Sequence, residues 1–297
     1  MRFRFAFKDK AAFYWSYFAS KVFGLWFEVK RPRLRMFLYE MLYSSAKLFK
    51  PTSLLPAPFR VDFVETVFGR FRVRPGTVDL ANASPAFERR DLDYLLRLLG
   101  ELRHRVKKVL FLDIGADIGT FSVTVGNRFK TSGIVQAMAF EPAPTSFDVL
   151  RENIRLNGLE GVTELCNFAL YDRDGLELDF SFNVDAPGSS GISTGPTELM
   201  GHTGQKVPAR TLDSVLKDKL SEYGAVVFKM DVEGVEREVL EGSRGVIQAA
   251  RDSGIEIYLL VEDFIRPAIV AHLEASGADF IAKLTPYNSW WRYGTTR

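Results

Sequence analysis

The sequence has few of the residues that build disulfides and zinc sites. Its 297 residues include one cysteine, Cys166, and three histidines that lie far apart. A single cysteine excludes an intrachain disulfide, and nothing in the pattern indicates secretion. The cysteine and the histidines also lack the spacing of zinc ligands. The sequence therefore gives no reason to expect a disulfide scaffold or a zinc centre.

Net charge is also scarce, but it is unevenly placed. The formal net charge of the chain is only +2. Residues 1–50 hold eleven basic and three acidic residues, so this segment carries +8 and the remainder carries −6. A mildly acidic body argues against a broad nucleic-acid-binding face, and we expect no nucleic-acid partner.

No apolar run is long enough to cross a membrane. In the aromatic stretch near the N-terminus, the longest uncharged run is residues 11–20, ten residues, whereas a bilayer needs about twenty. The stretch also lacks the cleavage site of a signal peptide. Its apolar residues recur at helical spacing, which predicts two amphipathic helices in an extension over residues 1–60.

Two roles for this basic, aromatic extension are favoured over nucleic-acid binding, because its aromatic residues have the spacing of a helix face rather than of stacking platforms. The helices pack on the body or on a second copy of the chain, as in a homo-oligomer. Alternatively, residues 1–50 attach to a membrane surface through aromatic and basic side chains, which would suit an acceptor carried on a lipid. We expect a cytoplasmic protein, which the second role would place at the inner face of the membrane.

From about residue 61 the pattern becomes an alternation of strands and helices. The pattern predicts a hairpin and a helix over residues 61–105. Over residues 106–297 it predicts buried apolar strands that alternate with helices. Such strands form a mostly parallel, doubly wound sheet covered on both faces, so we expect an α/β domain over residues 61–297. The Gly, Ser, Thr and Pro content of residues 183–208 predicts a long loop insertion, which is either a lid or disordered surface without a role.

A polar side chain follows each of five predicted strands at the point where the strand ends. Ligands of doubly wound sheets bind outside the carboxyl ends of the strands. Each of these residues alone is compatible with an ordinary helix cap, but five at one edge favour a binding site. In chain order they are Asp113, Glu141, Asn167, Asp231 and Glu262.

The turn after the first of these strands begins with an acid. Asp113 is followed by Gly115 and Gly119, and the third glycine of a dinucleotide-binding turn is missing, so the turn is poorly suited to a pyrophosphate. A ligand that has an adenosine and a positive charge but no phosphate fits better, and S-adenosylmethionine has these features. Glu141 can accept hydrogen bonds from both ribose hydroxyls.

Asp231 and Glu233 lie two residues apart at the mouth of a strand, so both can face one pocket. One would hold cofactor or acceptor, and the other would accept a proton from a hydroxyl. Their repulsion would raise one pKa, unless Lys229 faces the same side and offsets it. His202 is a second candidate base. A divalent metal held by this pair and Glu262 is chemically possible but not favoured, because no further ligands are visible.

Several motifs of the body, in this order, resemble the FkbM family of S-adenosylmethionine-dependent methyltransferases. They cover about residues 80–265 and read "FLDIGADIGTFSV", "AFEPAPTSFDVLRENIRLNGL", "NFALYDRDG", "VPARTLDSVL" and the distinctive "KMDVEGVE". The resemblance implies a seven-stranded class I methyltransferase fold and methyl transfer to a hydroxyl, often on a sugar or a polyketide. The family usually has Asn where this chain has Asp117, which would face the cofactor ammonium or cap the helix.

The motifs and the rim together give a set of candidate site residues. The residues expected to bind cofactor are Asp113, Gly115, Ala116, Asp117, Gly119, Thr120, Phe121, Glu141, Pro142, Asn167, Phe168, Ala169 and Asp231. By the resemblance, the glycine turn shapes the methionine side, Glu141 the ribose side, and residues 167–169 the adenine side. The residues expected to bind the acceptor are Ser189, Ser190, Lys229 and Glu262.

We therefore expect an O-methyltransferase acting on a hydroxyl of a sugar, glycan or glycolipid-like acceptor. Two alternatives remain: an NAD-dependent oxidoreductase on the same sheet, and a non-catalytic, membrane-attached scaffold that retains the fold. Near the C-terminus, Asn288, Trp290 and Trp291 either line a sugar pocket or close the core.

Overall fold

The part of the chain that can be described is the body that follows the N-terminal extension. The computed structural model describes residues 62–74, 77, 79–83, 87–183, 187–193, 202–263 and 268–295. The two helices predicted within residues 1–60 lie outside these ranges. Within the described ranges, no helix combines the length and the apolar character that a bilayer span requires.

Strands and helices alternate along this body. The strands are β1 (Phe63–Thr66), β2 (Gly69–Arg72), β3 (Val109–Ile114), β4 (Val135–Phe140), β5 (Thr163–Cys166), β6 (Ala169–Leu170), β7 (Glu177–Asn183), β8 (Gly191–Ile192), β9 (His202–Arg210), β10 (Ala225–Met230), β11 (Glu256–Glu262), β12 (Ala278–Ala282) and β13 (Asn288–Tyr293). The α-helices are α1 (Asp79–Asn82), α2 (Arg89–Leu102), α3 (Thr120–Phe129), α4 (Pro144–Leu156), α5 (Leu212–Leu216), α6 (Glu236–Glu241), α7 (Arg244–Asp252) and α8 (Ala268–Ala275).

Seven strands form one sheet, which confirms the predicted fold class. Their order is β12-β13-β11-β10-β3-β4-β5, and only β13 runs antiparallel to its neighbours. Strands β3 and β10, at the centre, are buried at every position, as expected for a sheet covered on both faces. Because β11, β10, β3, β4 and β5 are parallel neighbours, their carboxyl ends lie side by side along one edge.

Two hydrophobic cores hold helices on the two faces of the sheet. Side chains of β3 alternate between them, with Phe111 in one core and Leu110 and Leu112 in the other. The first core takes apolar residues from α2, α3 and α4, and the second takes them from α5, α6, α7 and α8. The helices therefore cover the sheet and leave its carboxyl edge to the connecting turns.

The β1–β2 hairpin is attached to α4 by two asparagine side chains. The backbone N–H groups of Arg70 and Arg72 donate to Asn157 Oδ1 at 3.0 Å and Asn153 Oδ1 at 2.6 Å. Between them, Phe71 is fully buried in the core shared with α2, α3 and α4. The chain that leaves the hairpin is thereby held beside the turn that follows β3.

Residues 183–208 form less loop than the sequence predicts. Strand β9 pairs antiparallel with β7, with Asn183 opposite His202, and the two residues of β8 pair with the other side of β7. The prediction of a continuous loop is therefore wrong for residues 191–192 and 202–208. The composition of the segment did not predict β9, because this strand forms by pairing with β7 rather than through a high strand propensity of its own residues.

The C-terminal tryptophans close the core. Trp290 and Trp291 are fully buried, so the alternative that they line a sugar pocket is wrong. Trp290 Nε1 donates to Asp91 Oδ1 at 2.9 Å, and Asn288 Nδ2 and Thr285 Oγ1 donate to Asp91 Oδ2 at 3.1 and 2.8 Å. Asp91 thus joins α2 to β13 and to the turn before it.

We expect Asp91→Ala to lower the free energy of unfolding by about 2–4 kcal/mol, because it removes three hydrogen bonds and leaves a buried indole N–H without its acceptor. Asp93→Ala, two residues along the same helix, is the matched control. Asp93 pairs with Arg89 in a partly exposed ion pair worth under about 1 kcal/mol. Urea denaturation of both variants measures the difference, and equal losses would contradict the role of Asp91.

Candidate active site

A buried lysine joins the turns that follow β3 and β10. Lys229, 6% exposed, donates from Nζ to the Gly115 carbonyl at 3.0 Å and to Asp231 Oδ2 at 3.2 Å, and lies 3.8 Å from Asp113 Oδ1. Burial alone would lower the pKa of Lys229, but Asp231 and Asp113 raise it above its ordinary value. The ammonium is therefore charged and faces the same side as Asp231.

The glycines of the turn after β3 are required for two different reasons. Gly115 has φ 80°, and a Cβ built on it would lie 1.8 Å from the backbone oxygen of Asp231. Gly119 has φ 84°, and its Cβ would lie 2.5 Å from Leu150 Cδ1 on α4. Gly115 thus permits the close approach of two turns, and Gly119 permits α3 to pack on α4.

Backbone amides of this turn are bonded within the protein. Gly115 and Ala116 both donate to the carbonyl of Phe140 at 3.0 Å, and the amide of Asp117 donates to Glu141 Oε2 at 2.9 Å. A phosphate-binding turn presents such amides to its ligand instead. These three groups already have acceptors, so the turn fits a ligand without a phosphate.

Asp113 stabilises the turn from inside. Its carboxylate, 1% exposed, accepts from Ser122 N at 3.0 Å and Ser122 Oγ at 2.6 Å through Oδ2, so it caps the first turn of α3. Burial raises the pKa of Asp113, whereas Lys229 and Ser122 lower it. The acid at the end of β3 therefore orders the turn; contact between Asp113 and a cofactor stays a prediction.

Glu141 lies at the end of β4 with both carboxylate oxygens bonded to backbone amides. Oε2 accepts from Asp117 N and Oε1 accepts from Ala143 N, each at 2.9 Å. Burial, with a contribution from Asp117, raises the pKa of Glu141 to about 8. Each oxygen has a second lone pair, so the carboxylate is suited to accept from two neighbouring hydroxyls of one ligand.

The residues predicted for the adenine side lie next to Glu141. Asn167 Nδ2 donates to the carbonyls of Glu141 and Pro142 at 2.9 and 3.2 Å, which fixes the turn after β4. The Phe168 ring is half-buried, and the guanidinium of Arg210 lies 5.3 Å from its centroid. An amide and an aromatic face thus flank the predicted ribose site.

Three further candidates for cofactor binding are buried. Thr120 Oγ1 donates to the Asn82 carbonyl at 3.0 Å, and the Phe121 ring centroid lies 5.4 Å from Lys229 Nζ. Ala169 is buried in β6. These residues support the walls of the site, and their contact with a cofactor stays a prediction.

Three carboxylates meet at the ends of β10 and β11. Asp231, Glu233 and Glu262 each offer an oxygen, and these oxygens lie within 4.8 Å of one another. Burial, followed by the charge of Asp231, raises the pKa of Glu262 to about 9. Near neutral pH this carboxyl therefore holds a proton. The proton relieves the repulsion among the three carboxylates, as a bound divalent cation would also do.

A fourth carboxylate was missed by sequence reasoning. Glu88 precedes α2 with φ 40°, and its Oε2 accepts from Asn288 Nδ2 at 3.1 Å. Burial and the nearby Asp231 raise the pKa of Glu88 to about 8. Glu88 follows no strand, and its only signal in the sequence is an acid before an amphipathic helix, which normally indicates no more than a favourable helix charge.

The insertion lies against both turns of the site. A Cβ built on Gly188 would lie 3.3 Å from Asp117 Oδ2, and one built on Gly191 would lie 3.0 Å from Glu233 Cβ. The short segment over residues 187–192 therefore extends from the turn after β3 to the turn after β10. This position is the one expected of a segment that covers a bound ligand.

The three candidate residues of the insertion lie at its short segment and at the start of β9. Ser189 is exposed, and Ser190 Oγ accepts from the Asn183 amide at 2.9 Å, so Ser190 shapes the segment. His202 begins β9, but its side chain lies outside what the structure describes. Acceptor binding by the two serines and base catalysis by His202 stay predictions.

An open groove of about 800 Å³ lies towards the amino end of β11, away from this site. Its lining includes Tyr94, Arg105, Tyr258 and Phe280, and no predicted site residue. The groove is therefore separate from the candidate site.

The sheet order and the site define a class I methyltransferase fold. The family model for the methyltransferase FkbM domain matches residues 113–276, more than half of the chain. The chain belongs to the FkbM methyltransferase family. It is accordingly an S-adenosylmethionine-dependent methyltransferase.

Curated relatives are also methyltransferases. Methyltransferase sdnD of Sordaria araneosa is 31% identical over 195 residues, which are 57% of this chain and 73% of the relative. Hexuronic acid methyltransferase AglP of Haloferax volcanii is 29% identical over 154 residues, which are 50% of this chain and 56% of the relative. The chain thus spans little more than half of the second relative.

Solved structures show weaker likeness. The tRNA (uracil-54, C5)-methyltransferase of Pyrococcus abyssi, in complex with S-adenosyl-L-homocysteine, has a TM-score of 0.39 and 12% identity, over 78% of this chain and 44% of that chain. The N-terminal domain of human METTL16 has a TM-score of 0.38 and 12% identity, over 70% of this chain and 69% of that chain. No conclusion about the acceptor follows from either.

We expect Gly115→Ala to weaken S-adenosylhomocysteine binding at least about tenfold, because an added Cβ forces apart the turns after β3 and β10. Gly133→Ala is the matched control. Gly133 also has positive φ, at 65°, but its Cβ would meet nothing within 4 Å, so only backbone strain of about 1 kcal/mol is added. Calorimetry measures binding by both variants, and equal affinities would contradict the importance of the close approach.

Proposed function

We propose that this protein transfers the methyl group of S-adenosylmethionine to a hydroxyl of a sugar, glycan or glycolipid-like acceptor. The observation that carries the proposal is the meeting of Asp231, Glu233 and Glu262 beside a glycine turn in which the amides of residues 115–117 are already bonded. Such a site offers carboxylates to a cation and to hydroxyl protons. The amides of Gly115, Ala116 and Asp117 are bonded within the protein, so they are not presented to a pyrophosphate as an NAD-dependent oxidoreductase would require.

The chemistry of the rim fits the proposed cofactor. Glu141 would accept from the ribose hydroxyls, Asn167 and Phe168 would lie on the adenine side, and the turn around Gly115 would shape the methionine side. Asp231 would supply negative charge next to this part of the site. When bound, S-adenosylmethionine supplies an electrophilic methyl group on a cationic sulfur.

In the proposed reaction, Asp231 aligns the acceptor and Glu233 accepts its proton. Asp231 is fixed by Lys229, which suits a positioning role, whereas Glu233 follows two residues later with φ 53° and brings its carboxylate within 4.8 Å of that of Asp231. With S-adenosylmethionine bound, the hydroxyl oxygen would take the methyl group as the carbon–sulfur bond breaks, and the hydroxyl proton would pass to the carboxylate of Glu233. Alignment of the oxygen is the larger contribution to the rate, up to about 7–11 kcal/mol.

A polyhydroxyl acceptor is supported by the mixture of donors and acceptors in the pocket. The pKa values of Glu88 and Glu262, about 8 and about 9, leave these groups protonated near pH 7, so they can donate hydrogen bonds. The carboxylate oxygens of Asp231 and Glu233 are of the type that accepts hydrogen bonds from hydroxyl groups. The name of the Haloferax volcanii relative, a hexuronic acid methyltransferase, agrees with an acceptor of the sugar class.

The proposal is tested by incubating the protein with methyl-labelled S-adenosylmethionine and glycan, glycolipid and small-molecule fractions of cells. We expect label in a carbohydrate-bearing fraction, and a loss of about 10²–10⁴ in turnover for Glu233→Gln. Asp231→Asn should also lose turnover, because it disturbs alignment. Glu274→Gln on the exposed face of α8 is the control and should retain full activity.

Turnover that survives Asp231→Asn and Glu233→Gln together would overturn the assignment of these residues. Cofactor binding with no labelled fraction would instead support the alternative of a non-catalytic scaffold. The same assay in the presence of EDTA tests the metal. We expect no loss of rate, because the proton on Glu262 already relieves repulsion in the cluster.

Membrane attachment through residues 1–50 is part of the proposal, supported by the +8 charge and the aromatic residues of this segment. We expect the full chain to float with liposomes that contain anionic lipid, and a chain that begins at Asp62 to remain unbound. Raising the salt concentration should weaken flotation of the full chain, because the basic residues are then screened. Equal behaviour of the two chains would exclude attachment and leave packing on the body or on a second copy.

A further inference from the structure

Arg74 lies in a buried polar network below the turn that follows β3. Its Nε and Nη2 donate to the two carboxylate oxygens of Asp79 at 2.7 and 2.9 Å. Nη2 also donates to Asp117 Oδ1 at 2.6 Å, and Nη1 donates to Ser146 Oγ at 2.7 Å. The side chain is 17% exposed, so one guanidinium holds α1, the turn after β3 and α4 together.

Asp117 connects this network to the predicted ribose site. Its backbone has φ 45°, a left-handed conformation that non-glycine residues seldom adopt. In this conformation its amide donates to Glu141 Oε2 at 2.9 Å, while its carboxylate accepts from Arg74 and, at 3.2 Å, from Ser146 Oγ. Arg74 and Ser146 thus hold the side chain of Asp117, and Glu141 holds its backbone amide.

We infer that Arg74 is a positioning residue for cofactor binding: through the carboxylate of Asp117, it holds the amide that orients Glu141. The inference rests on the proposed function, because it takes Glu141 to be the acid that binds ribose. Arg74 lies outside residues 113–276, the range that the family model matches. The chain therefore supplies a support for its cofactor site from the segment that follows the β1–β2 hairpin.

The charges around Glu141 should make the effect of Arg74 on cofactor affinity depend on pH. Three carboxylates lie together here, from Asp79, Asp117 and Glu141, and Arg74 is the cation that bonds two of them. Burial and Asp117 raise the pKa of Glu141, and Arg74 lowers it. Removing the guanidinium should therefore raise the pKa of Glu141 further. Because ribose hydroxyls donate to the ionised carboxylate, affinity rises as the pH rises through this pKa, and the rise should move to higher pH in the variant.

The test is calorimetry of S-adenosylhomocysteine binding at pH 6.5, 7.5 and 8.5. We expect Arg74→Met to weaken binding about tenfold at pH 7.5, the effect of about one pKa unit, with a smaller deficit at pH 8.5. Adenosine, which has the ribose but no methionine, should lose affinity by the same factor. Arg74→Lys should retain part of the affinity, because it keeps the charge but not the fork of donors.

The double variant Arg74→Met with Asp117→Asn separates positioning from general stability. Asparagine tolerates the left-handed conformation and needs no cation, so we expect the double variant to bind more tightly than Arg74→Met alone. Arg72→Met is the matched control, since Arg72 ends β2 with an exposed side chain that pairs with Glu152. It should bind with the affinity of the wild type.

The outcomes distinguish the inference from the function on which it rests. No binding by the wild type would overturn the proposed cofactor and, with it, the inference. Binding by Arg74→Met within about twofold of the wild type at each pH would overturn the inference alone, as would a loss that is the same at each pH and persists in the double variant. If Arg74→Met does not fold, Arg74→Lys and the double variant carry the comparison.

Discussion

The ammonium of Lys229 is the interaction on which the geometry of the site depends. Parallel register places Lys229 of β10 directly beside Asp113 of β3, so two central strands bring a cation and an acid together before either strand ends. The same ammonium bonds to the carbonyl of Gly115 and to Asp231. Without it, the buried Asp113 and the partly buried Asp231 would lack their shared cation, and the two turns that enclose the site would lose their common partner.

The remaining acids fall into two groups according to their partners. Asp113 and Asp117 are bonded to Ser122 and Arg74, and these pairs order the turn after β3. Asp231, Glu233 and Glu262, in contrast, meet one another, with Lys229 as the cation that bonds to Asp231. Acids of the first group are suited to fixing the backbone, and acids of the second group are suited to ligands and proton transfer, because their oxygens converge on one space.

How far the sequence predicts this site depends on the range of the interactions. Each acid at a strand end was predictable, because apolar runs mark the strands and parallel strands end at one edge. Glu88 and Arg74 were not, since each reaches the site from a segment before the sheet. Glu88 contacts Asn288, 200 residues away in sequence, and Arg74 contacts Asp117, 43 residues away. Strand β9 was missed for the same reason, because pairing with β7 defines it.

The balance of charge also bears on the reaction. In the proposed reaction, the carboxylate that accepts the hydroxyl proton would become neutral as the positive charge of the cofactor is lost, so one charge of each sign would disappear from the same site. In a partly buried site, where opposite charges are poorly solvated, this loss is more favourable than in water. An anionic group on the acceptor next to the reacting oxygen would face Asp231 and Glu233 without such compensation. Under the proposed function, the cluster would therefore favour an uncharged hydroxyl as the acceptor group.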